Sequence, residues 1–266
     1  MNRKNENRNN IKFLTKSEIR LKILEILSKE PTTIPKLVKE TKITYSSVSS
    51  NLIKLEDRQF VKRVDNNYHL KPITKMYLKS LMEFRNSINM IKDYNDFWDK
   101  HDLNQMDIES IKNINALKDS TLIETTPTDI YKTHNTIKKY MTNSKSLKAI
   151  LPYLHPEYPK LVENILKNGG SVELILPKSI FNETMSKINK NVKRTAIKEK
   201  RLKIYSSKND LKIYLIIFDK TMSLGLFKND NSFDQNRILI SQHESSHKWA
   251  EELYEYMKMR RYNDQY

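Results

Sequence analysis

Two histidines near the C-terminus have the spacing of a catalytic motif, in the stretch SQHESSHKWAEEL. Residues 243–247, HESSH, match H-E-x-x-H, in which two His one helical turn apart hold zinc and the Glu serves as the general base of a peptidase. That chemistry needs a third protein ligand further along the chain. Only 19 residues follow His247, none of them is His, and Glu251, Glu252 and Glu255 lie on the same helix. The motif therefore predicts neither a metal site nor a peptidase.

A structural role fits the same segment better. Ser241 and Glu244 have the spacing of a capping box, in which the Ser caps the helix and the Glu reaches back to the backbone N–H. The buried face of the helix is then marked at helical spacing by Ser246, Trp249, Leu253 and Met257. His243 and His247 fall on a different, wetter ridge.

Other catalytic motifs are missing from the sequence. Its three glycines cannot build a P-loop or a dinucleotide-binding loop, and no G-x-S-x-G occurs. The absence of cysteine excludes disulfides, iron–sulfur clusters and thiolate zinc sites, and it favours an intracellular protein. We therefore expect a chain that is not an enzyme and that uses no cofactor.

The composition is typical of a soluble, globular protein, with 38% hydrophobic and 30% charged residues, and 266 residues favour two domains. No apolar run approaches the roughly 18 residues that span a bilayer. The N-terminal stretch MNRKNENRNNIKF lacks the apolar segment of a secretory signal. We expect a cytoplasmic protein that makes no membrane contact.

The positive charge is concentrated at the start of the chain. Residues 1–75 hold 17 Lys and Arg against 8 Asp and Glu, whereas the other 191 residues hold 31 against 24, for a net charge of +16. A dense basic block can neutralise phosphates and gain from counterion release. The charge favours a nucleic acid as the partner; a Lys-rich surface without a partner is the alternative.

Three helices and a hairpin are predicted within residues 13–72. Apolar residues recur at helical spacing in TKSEIRLKILEILSKEP, Pro35 lies in the first turn of a short second helix, and the third helix spans ITYSSVSSNLIKLEDRQF. In that third helix, Val48, Leu52 and Leu55 must face the core. FVKRVDNNYHL then has the pattern of two strands about a turn at residues 65–67. This order predicts a winged helix-turn-helix.

The outer face of the third helix is short, polar and basic, as expected of a helix that enters the major groove of DNA. Its Ser hydroxyls would meet base edges, while Asn51, Lys54 and the basic wing hold phosphates. The predicted DNA-binding residues are Tyr45, Ser46, Ser47, Ser49, Ser50, Asn51, Lys54, Arg58, Lys62, Arg63, Asn66 and Asn67. The predicted partner is double-stranded DNA, since an RNA-directed protein would expose more stacking aromatics.

Two features keep alternatives open in this domain. A tri-helical core with a hairpin also serves as a non-enzymatic scaffold that uses the winged helix for protein contacts. Gln59 stands where winged-helix regulators often have Gly, at a turn that favours positive φ.

A long helix without Gly or Pro is predicted from Ile73 onward. Its apolar positions step by four and three residues, which is the spacing of a heptad seam: Tyr77, Leu81, Phe84, Ile88, Ile91 and Trp98, with polar Asn95 among them. Such a seam predicts a homodimer that presents two reading helices to DNA half-sites. The alternative is that the seam packs on the protein's own second domain.

Strands and helices alternate beyond this helix, which predicts a largely parallel sheet with a ligand pocket at the carboxyl ends of its strands. The predicted pocket residues are Tyr153, His155, Lys178, Asp219 and Phe227, and the Lys and His would suit a small anionic effector. Ordinary loop or core roles are the alternative for all five. The expected organisation is α/β multidomain: a disordered tail (1–12), a winged helix-turn-helix (13–72), a helical linker or dimerisation region (73–118) and an α/β effector domain (119–266).

Several segments carry a family resemblance: DFWDKHDL (96–103), SIKNINALKDSTLIE (110–124), LHPEYPKLVENILKNGGSVELILP (154–177), SLGLFKNDNSFDQNRILIS (223–241) and WAEELYEYMK (249–258). With them, nearly the whole chain resembles archaeal, largely methanogen, winged-helix transcription regulators of the filamentation-regulator (FilR) type. The chain departs from that pattern at Ala250, where the family tends to show Gly, and at residues 106–107, where it shows Ile-Pro.

The resemblance implies a DNA-binding regulator without enzymatic activity, whose C-terminal domain senses a ligand or mediates assembly. That domain also looks like a phospholipase-D-like half-domain used for ligand sensing. The enzymes of that superfamily need H-x-K-x4-D, and the H-x-K here, at residues 69–71, lies in the wing and has Met76 in place of the Asp. Phosphodiesterase chemistry is therefore not expected.

Overall fold

The computed structural model describes the backbone of residues 3–263 and the side chains of residues 9–260. The chain divides into two compact units, Met1–Arg85 and Asn86–Tyr266. The division falls inside one helix, later than the boundary after residue 72 that the sequence predicts.

The first unit contains helices followed by a two-stranded antiparallel hairpin. Its elements are α1 (Arg3–Thr15), α2 (Glu18–Lys29), α3 (Ile34–Thr41), α4 (Tyr45–Asp57), β1 (Val61–Val64), β2 (Asn67–Leu70) and the start of α5 (Pro72–Asp93). The Ser17 hydroxyl caps α2 by accepting the Arg20 N–H. Val48, Leu52 and Leu55 of α4 are fully buried, which confirms the predicted core face of that helix.

Helix α4 ends in a Schellman motif that places the hairpin. The Phe60 N–H donates to the Leu55 carbonyl (2.9 Å) and the Gln59 N–H to the Glu56 carbonyl (2.8 Å). Gln59 has the positive φ of 62° that this motif requires. Gln59 adopts this conformation although it is not a glycine, and its side chain donates to the Glu56 carbonyl and accepts from Lys71.

The N-terminal segment differs from its prediction. The sequence predicts disorder over residues 1–12, whereas α1 begins at Arg3; Met1 and Asn2 lie outside the described residues. The C-terminal end of α1 is fixed by apolar contacts, because Leu14 is 1% exposed and the Phe13 ring stacks on that of Phe60 at 5.7 Å. The polar sequence before these residues gives no sign of this anchor.

The second unit alternates helices and strands along the chain. After the end of α5 come α6 (Asn95–Asp99), α7 (Ile108–Lys112), a 3-10 helix (Ile114–Leu117), β3 (Thr121–Glu124), α8 (Lys132–Asn143), β4 (Ser146–Ile150), α9 (Tyr158–Lys167), β5 (Ser171–Pro177), α10 (Lys178–Lys187), α11 (Lys190–Lys198), β6 (Leu202–Ser207), β7 (Ile213–Phe218), β8 (Thr221–Leu226), β9 (Arg237–Ser241) and α12 (Glu244–Asn263). Within the described residues, no helix is both long and apolar enough to cross a membrane.

The strands form one seven-stranded mixed sheet in the order β3-β9-β8-β7-β4-β5-β6. Only the pairs β4–β5 and β5–β6 are parallel; the other four are antiparallel. The expectation of a largely parallel sheet was therefore wrong. The tight turn at Asp219-Lys220 makes β7 and β8 a hairpin, and a two-residue connection can only join antiparallel strands.

Both faces of the sheet are buried, as β7 shows. Its Ile213, Leu215 and Ile217 pack with α12 and residues of α5 and α6, while Tyr214, Ile216 and Phe218 pack with α8 and α9 on the other face. Residues 86–118, expected to be linker, belong to this core. Their buried apolar side chains are Met90, Phe97, Met106, Ile114 and Leu117.

Helix α12 buries the face that the sequence predicts, since Ser246, Trp249, Leu253 and Met257 are all less than 5% exposed. The Trp249 indole N–H donates to the Ser110 carbonyl at 2.9 Å. The expected capping box was wrong. Ser241 belongs to β9, and the residue directly before the helix is His243, whose Nδ1 accepts the Ser245 N–H at 3.3 Å.

Candidate DNA interface and ligand pocket

The first candidate site is the outer face of α4 together with the β1–β2 hairpin. Nine of the twelve residues predicted to bind DNA are exposed: Tyr45, Ser46, Ser50, Lys54, Arg58, Lys62, Arg63, Asn66 and Asn67. Ser47, Ser49 and Asn51 are only half-exposed. Asn51 donates through Nδ2 to the Ser47 carbonyl at 2.9 Å, so its amide is engaged within its own helix.

Other side chains of this face are free to reach a ligand. Among the described contacts, Lys54 and Lys62 make no hydrogen bond or ion pair, so their ammonium groups extend into solvent. Lys42 is a further exposed cation, in the turn before α4, with a φ of 59°. The sequence analysis did not include Lys42 among the DNA-binding residues. Its position between the second and third predicted helices, directly before the helix expected to read DNA, could have indicated it.

Positive charge also gathers beside the hairpin. The guanidinium groups of Arg20 and Arg58 both lie over the Phe13 ring, at 3.9 and 4.3 Å from its centroid. Burial and the charge of Arg58 lower the pKa of Arg20. In the turn, Arg63 donates to the Asp65 carbonyl at 2.9 Å and is thereby held against the hairpin. The result is a basic rim around the polar face of α4.

The predicted heptad seam on α5 is only partly free. Tyr77 and Leu81 pack against the core of the first unit, and Trp98, beyond the end of α5, packs against the core of the second. Phe84, Ile88 and Ile91 are 65%, 47% and 42% exposed. These three side chains, the exposed seam, leave an apolar stripe on the helix.

The second candidate site is an aromatic cavity of about 280 Å³ in the second unit. Aromatic rings make up much of its wall, and the lining residues are Ile130, Tyr131, Thr133, His134, Ile137, Tyr153, Leu154, His155, Pro156, Tyr158, Tyr214, Phe233, Gln235, Asn236 and Ile238. Phe233 lies 4.8 Å from Tyr153 and 5.4 Å from Tyr214, measured between ring centroids. Of the described residues that line this cavity, none is Lys, Arg, Asp or Glu.

A cluster of tyrosines forms one wall of the cavity. The hydroxyls of Tyr158 and Tyr214 are 2.5 Å apart and both side chains are buried. Burial raises the pKa of Tyr153, Tyr158 and Tyr214, so all three stay neutral at physiological pH. Tyr214 is the one side chain with a polar group in β7, IYLIIF, and that contrast was the signal by which the sequence could have revealed it.

Two histidines stack at the mouth of the cavity. The rings of His134 and His155 lie 3.9 Å apart at 25°, and His134 Nε2 lies 2.6 Å from a Glu157 carboxylate oxygen. Lys138 donates to the other oxygen at 2.6 Å, and these two bonds lower the pKa of Glu157 to about 2. Burial and the neighbouring His134 lower the pKa of His155.

His134, His155 and Glu157 are the one group among the described residues whose three ligand atoms come within 4.8 Å of one another, as a metal site requires. Their bonding opposes that use. His155 Nδ1 accepts the Glu157 N–H at 3.2 Å, whereas a metal-bound His normally donates from its second nitrogen. Both Glu157 oxygens are already bonded, one of them to an ammonium. Hydrogen bonds therefore satisfy the cluster without an ion.

The five predicted pocket residues do not come together. Tyr153 and His155 line the cavity, and Phe227 lies behind it, 5.4 Å from Phe233. Lys178, at the start of α10, does not line the cavity. Asp219 lies at the opposite end of β4, where its carboxylate accepts the Ser146 N–H at 2.8 Å, because antiparallel pairing of β7 with β4 places the β7–β8 turn there.

The HESSH segment forms no metal cluster among the described residues. His243 Nδ1 lies 2.8 Å from the Ser245 hydroxyl, and its Nε2 lies 3.7 Å from an Asp119 oxygen. Glu244 is exposed at the start of α12. These contacts give the segment a structural role at the helix start.

Two parts of the chain match known protein families. Residues 8–93 match the family model of the HVO_A0261 N-terminal domain, and residues 130–260 match that of the middle domain of methanogenesis regulatory protein FilR1. The methanogenesis regulatory protein FilR1 of Methanothrix harundinacea (strain 6Ac) is 24% identical over 253 residues, which are 94% of this chain and 57% of that protein. The chain thus spans little more than half the length of this curated relative.

Among solved structures, TrmBL2, an archaeal chromatin protein, covers 91% of this chain over 92% of its own length, at 10% identity and a TM-score of 0.39. Polyphosphate kinase from Porphyromonas gingivalis covers 55% of this chain over 26% of its own, at 8% identity and a TM-score of 0.34. Both TM-scores are too low to carry an argument. The chain is thus similar to an N-terminal domain family over residues 8–93 and to the FilR1 middle-domain family over residues 130–260.

Proposed function

We propose that the protein is a sequence-specific, homodimeric DNA-binding transcription regulator whose first unit is a winged helix-turn-helix. The observation that carries the proposal is the surface of α4 and the hairpin. A buried apolar face of α4 sets its polar face outward, and Lys42, Lys54 and Lys62 surround that face without acidic partners. A helix of this kind can present hydroxyls to base edges while the surrounding cations hold phosphates.

The similarity to a regulatory protein supports the same class of function. The curated relative is named a methanogenesis regulatory protein, which agrees with the expectation that this chain is not an enzyme. The likeness of the second unit to a phospholipase-D-like half-domain remains a prediction from the sequence. A role in methanogenesis belongs to the relative's name and is not proposed for this chain.

The exposed seam on α5 supports dimerisation through a second copy of the chain. Phe84, Ile88 and Ile91 lie at positions i, i+4 and i+7, so they form one stripe along the helix. A stripe with this spacing is complementary to itself in a two-helix coiled coil. Two copies would present two α4 helices, as a palindromic operator requires.

The aromatic cavity supports a ligand class different from the anion that the sequence suggested. No described Lys or Arg lines it, and the charges of Lys138 and Glu157 at its mouth neutralise each other. Its rings offer flat faces for stacking, and its hydroxyls stay neutral. We therefore expect a small, neutral, planar effector. Indole should raise the melting temperature more than benzoate does, and this difference should disappear in Phe233→Ala.

Fluorescence anisotropy tests the regulator itself. Wild-type protein would be titrated onto duplex from its own upstream region, scrambled duplex and single strand, over a salt series. We expect a preference for the first duplex that is lost in Ser46→Ala/Ser50→Ala, since these exposed hydroxyls face outward from α4. The matched control is Ser179→Ala/Ser186→Ala, which removes two exposed hydroxyls from α10.

Two results would contradict the proposal. Equal, weak binding of wild type to all three nucleic acids would mean that the charge is ordinary surface charge. Absence of salt-dependent DNA binding together with a stable protein complex through α4 would favour the scaffold function instead.

A further inference from the structure

A second concentration of positive charge lies in the second unit, between the end of α10 and β6. Residues 187–203 hold eight Lys or Arg and a single acidic residue, Glu199. The rest of residues 76–266 is balanced, with 23 basic and 23 acidic residues. The whole positive surplus of this part of the chain is therefore confined to one short segment.

Helix α11 places three of these cations on one outward ridge. Val192 and Ala196 pack into the core beneath the helix, and the Asn189 side chain caps it by accepting two backbone N–H groups. Lys190, Arg194 and Lys198 follow at i, i+4 and i+8 and are exposed. Because four residues advance a helix by about 6 Å, the ridge carries positive charge over about 12 Å.

The ridge contrasts with several other helical surfaces of the protein. Five lysines on other helices are paired with a carboxylate one turn away: Lys79–Glu83, Lys100–Asp96, Lys167–Glu163, Lys187–Glu183 and Lys248–Glu252. The α11 cations have no acidic residue three or four positions away. Within the described part of the chain they form no ion pair. Like charges at this spacing destabilise a helix, so the ridge carries a cost that an anionic partner would remove.

We propose that the α11 ridge is a second nucleic-acid-binding surface, which holds the phosphate backbone of duplex DNA without reading its sequence. The inference rests on the proposed function in taking duplex DNA as the partner. A strand of B-DNA carries one phosphate per 3.4 Å of axis, so a ridge of about 12 Å spans roughly three phosphates. Exposed Lys200, directly after α11, extends the cationic surface.

An anionic membrane is the competing partner for a basic helix, and the structure disfavours it. A helix that lies on a membrane needs a free apolar face to insert. The apolar face of α11 is buried against the sheet, which leaves Ile197, 51% exposed, as its one large apolar side chain at the surface.

The test uses the full chain and the triple variant Lys190→Gln/Arg194→Gln/Lys198→Gln. Its control is Lys79→Gln/Lys167→Gln/Lys248→Gln, which removes the same net charge from exposed lysines that are paired. Affinities for the protein's own upstream duplex and for scrambled duplex would be measured against salt. Circular dichroism melting would verify that both variants fold.

A plot of log affinity against log salt concentration has a negative slope, and we expect the ridge variant to make it shallower by up to about 2.7. Each phosphate that the protein no longer neutralises reduces the magnitude of the slope by about 0.9. The decrease should be equal on both duplexes, and the control should show a much smaller one. An unchanged slope, or an equal decrease in ridge and control variants, would overturn the inference. The inference would also be overturned if the ridge variant bound phosphatidylserine vesicles more weakly than the wild type while its DNA binding stayed the same. Failure of the proposed function would be seen in a different measurement: the wild-type protein would bind its own upstream duplex and the scrambled duplex with equal affinity.

Discussion

Replacement of Phe84 by Asp should separate the proposed dimer into monomers. Phe84 is the most exposed member of the exposed seam on α5, at 65%, and Ile88 and Ile91 follow it at positions i+4 and i+7. The substitution removes the largest apolar side chain and places a carboxylate where a second copy of the helix would pack. Because the Phe84 side chain is largely solvated in the single chain, folding of the monomer should change little.

The size of the effect follows from the area still open to water. Full burial of a Phe side chain contributes about 1.5–3 kcal/mol, and about two-thirds of that remains to be gained at Phe84. Each copy therefore contributes about 1–2 kcal/mol and a symmetric dimer about 2–4 kcal/mol. At 1.4 kcal/mol for each factor of ten, the dimer dissociation constant should rise about 30- to 700-fold, before the cost of burying the new charge is added.

Sedimentation velocity over a concentration series measures this constant directly. The matched control is Asn89→Asp, which adds the same charge to an exposed position of α5 turned well away from the seam. The reasoning is refuted if Phe84→Asp and Asn89→Asp have equal dissociation constants, or if the wild-type protein is monomeric at every concentration. Binding to a single half-site should be unaffected, because α4 is unchanged.

Three further predictions concern the second unit. Tyr214→Phe should lower the free energy of unfolding by about 1–2 kcal/mol, since it removes a hydroxyl 2.5 Å from that of buried Tyr158; a urea midpoint equal to wild type would contradict this. His155 should titrate below 6.5, its ordinary value, because burial and His134 disfavour its charged form. As pH falls, the unfolded chain takes up this proton before the folded chain does, so His155 should lower the free energy of unfolding as pH falls through 6.5. The loss of stability between pH 7.5 and pH 5.5, measured by urea unfolding, should therefore be smaller in His155→Asn than in the wild type. Gly170→Ala should destabilise the unit by about 1–3 kcal/mol, because a Cβ there would lie 2.5 Å from the Lys145 carbonyl oxygen and 2.8 Å from that of Ile165; an unchanged melting temperature would show that this backbone relaxes.

The sequence by itself determined the local elements and their buried faces. Helical spacing placed Val48, Leu52 and Leu55 of α4 and Trp249, Leu253 and Met257 of α12 in the core, and the structure confirms both sets. The hairpin of the first unit was also located within a few residues. These features follow from the sequence because the periodicity of burial repeats within a single element and needs no distant partner.

Tertiary structure alone decided which residues meet. The sequence did not show that four of the six strand pairs in the seven-stranded sheet are antiparallel. It also did not show that Trp98 packs against the core of its own unit while Phe84 stays exposed to solvent. The aromatic cavity joins His134, Tyr153, Tyr214 and Phe233, which are as many as 99 positions apart in the numbering of the chain, whereas Lys178 and Asp219 fall elsewhere. Strand order and direction depend on pairings between distant segments, and such pairings leave no period in the sequence for a local pattern to reveal.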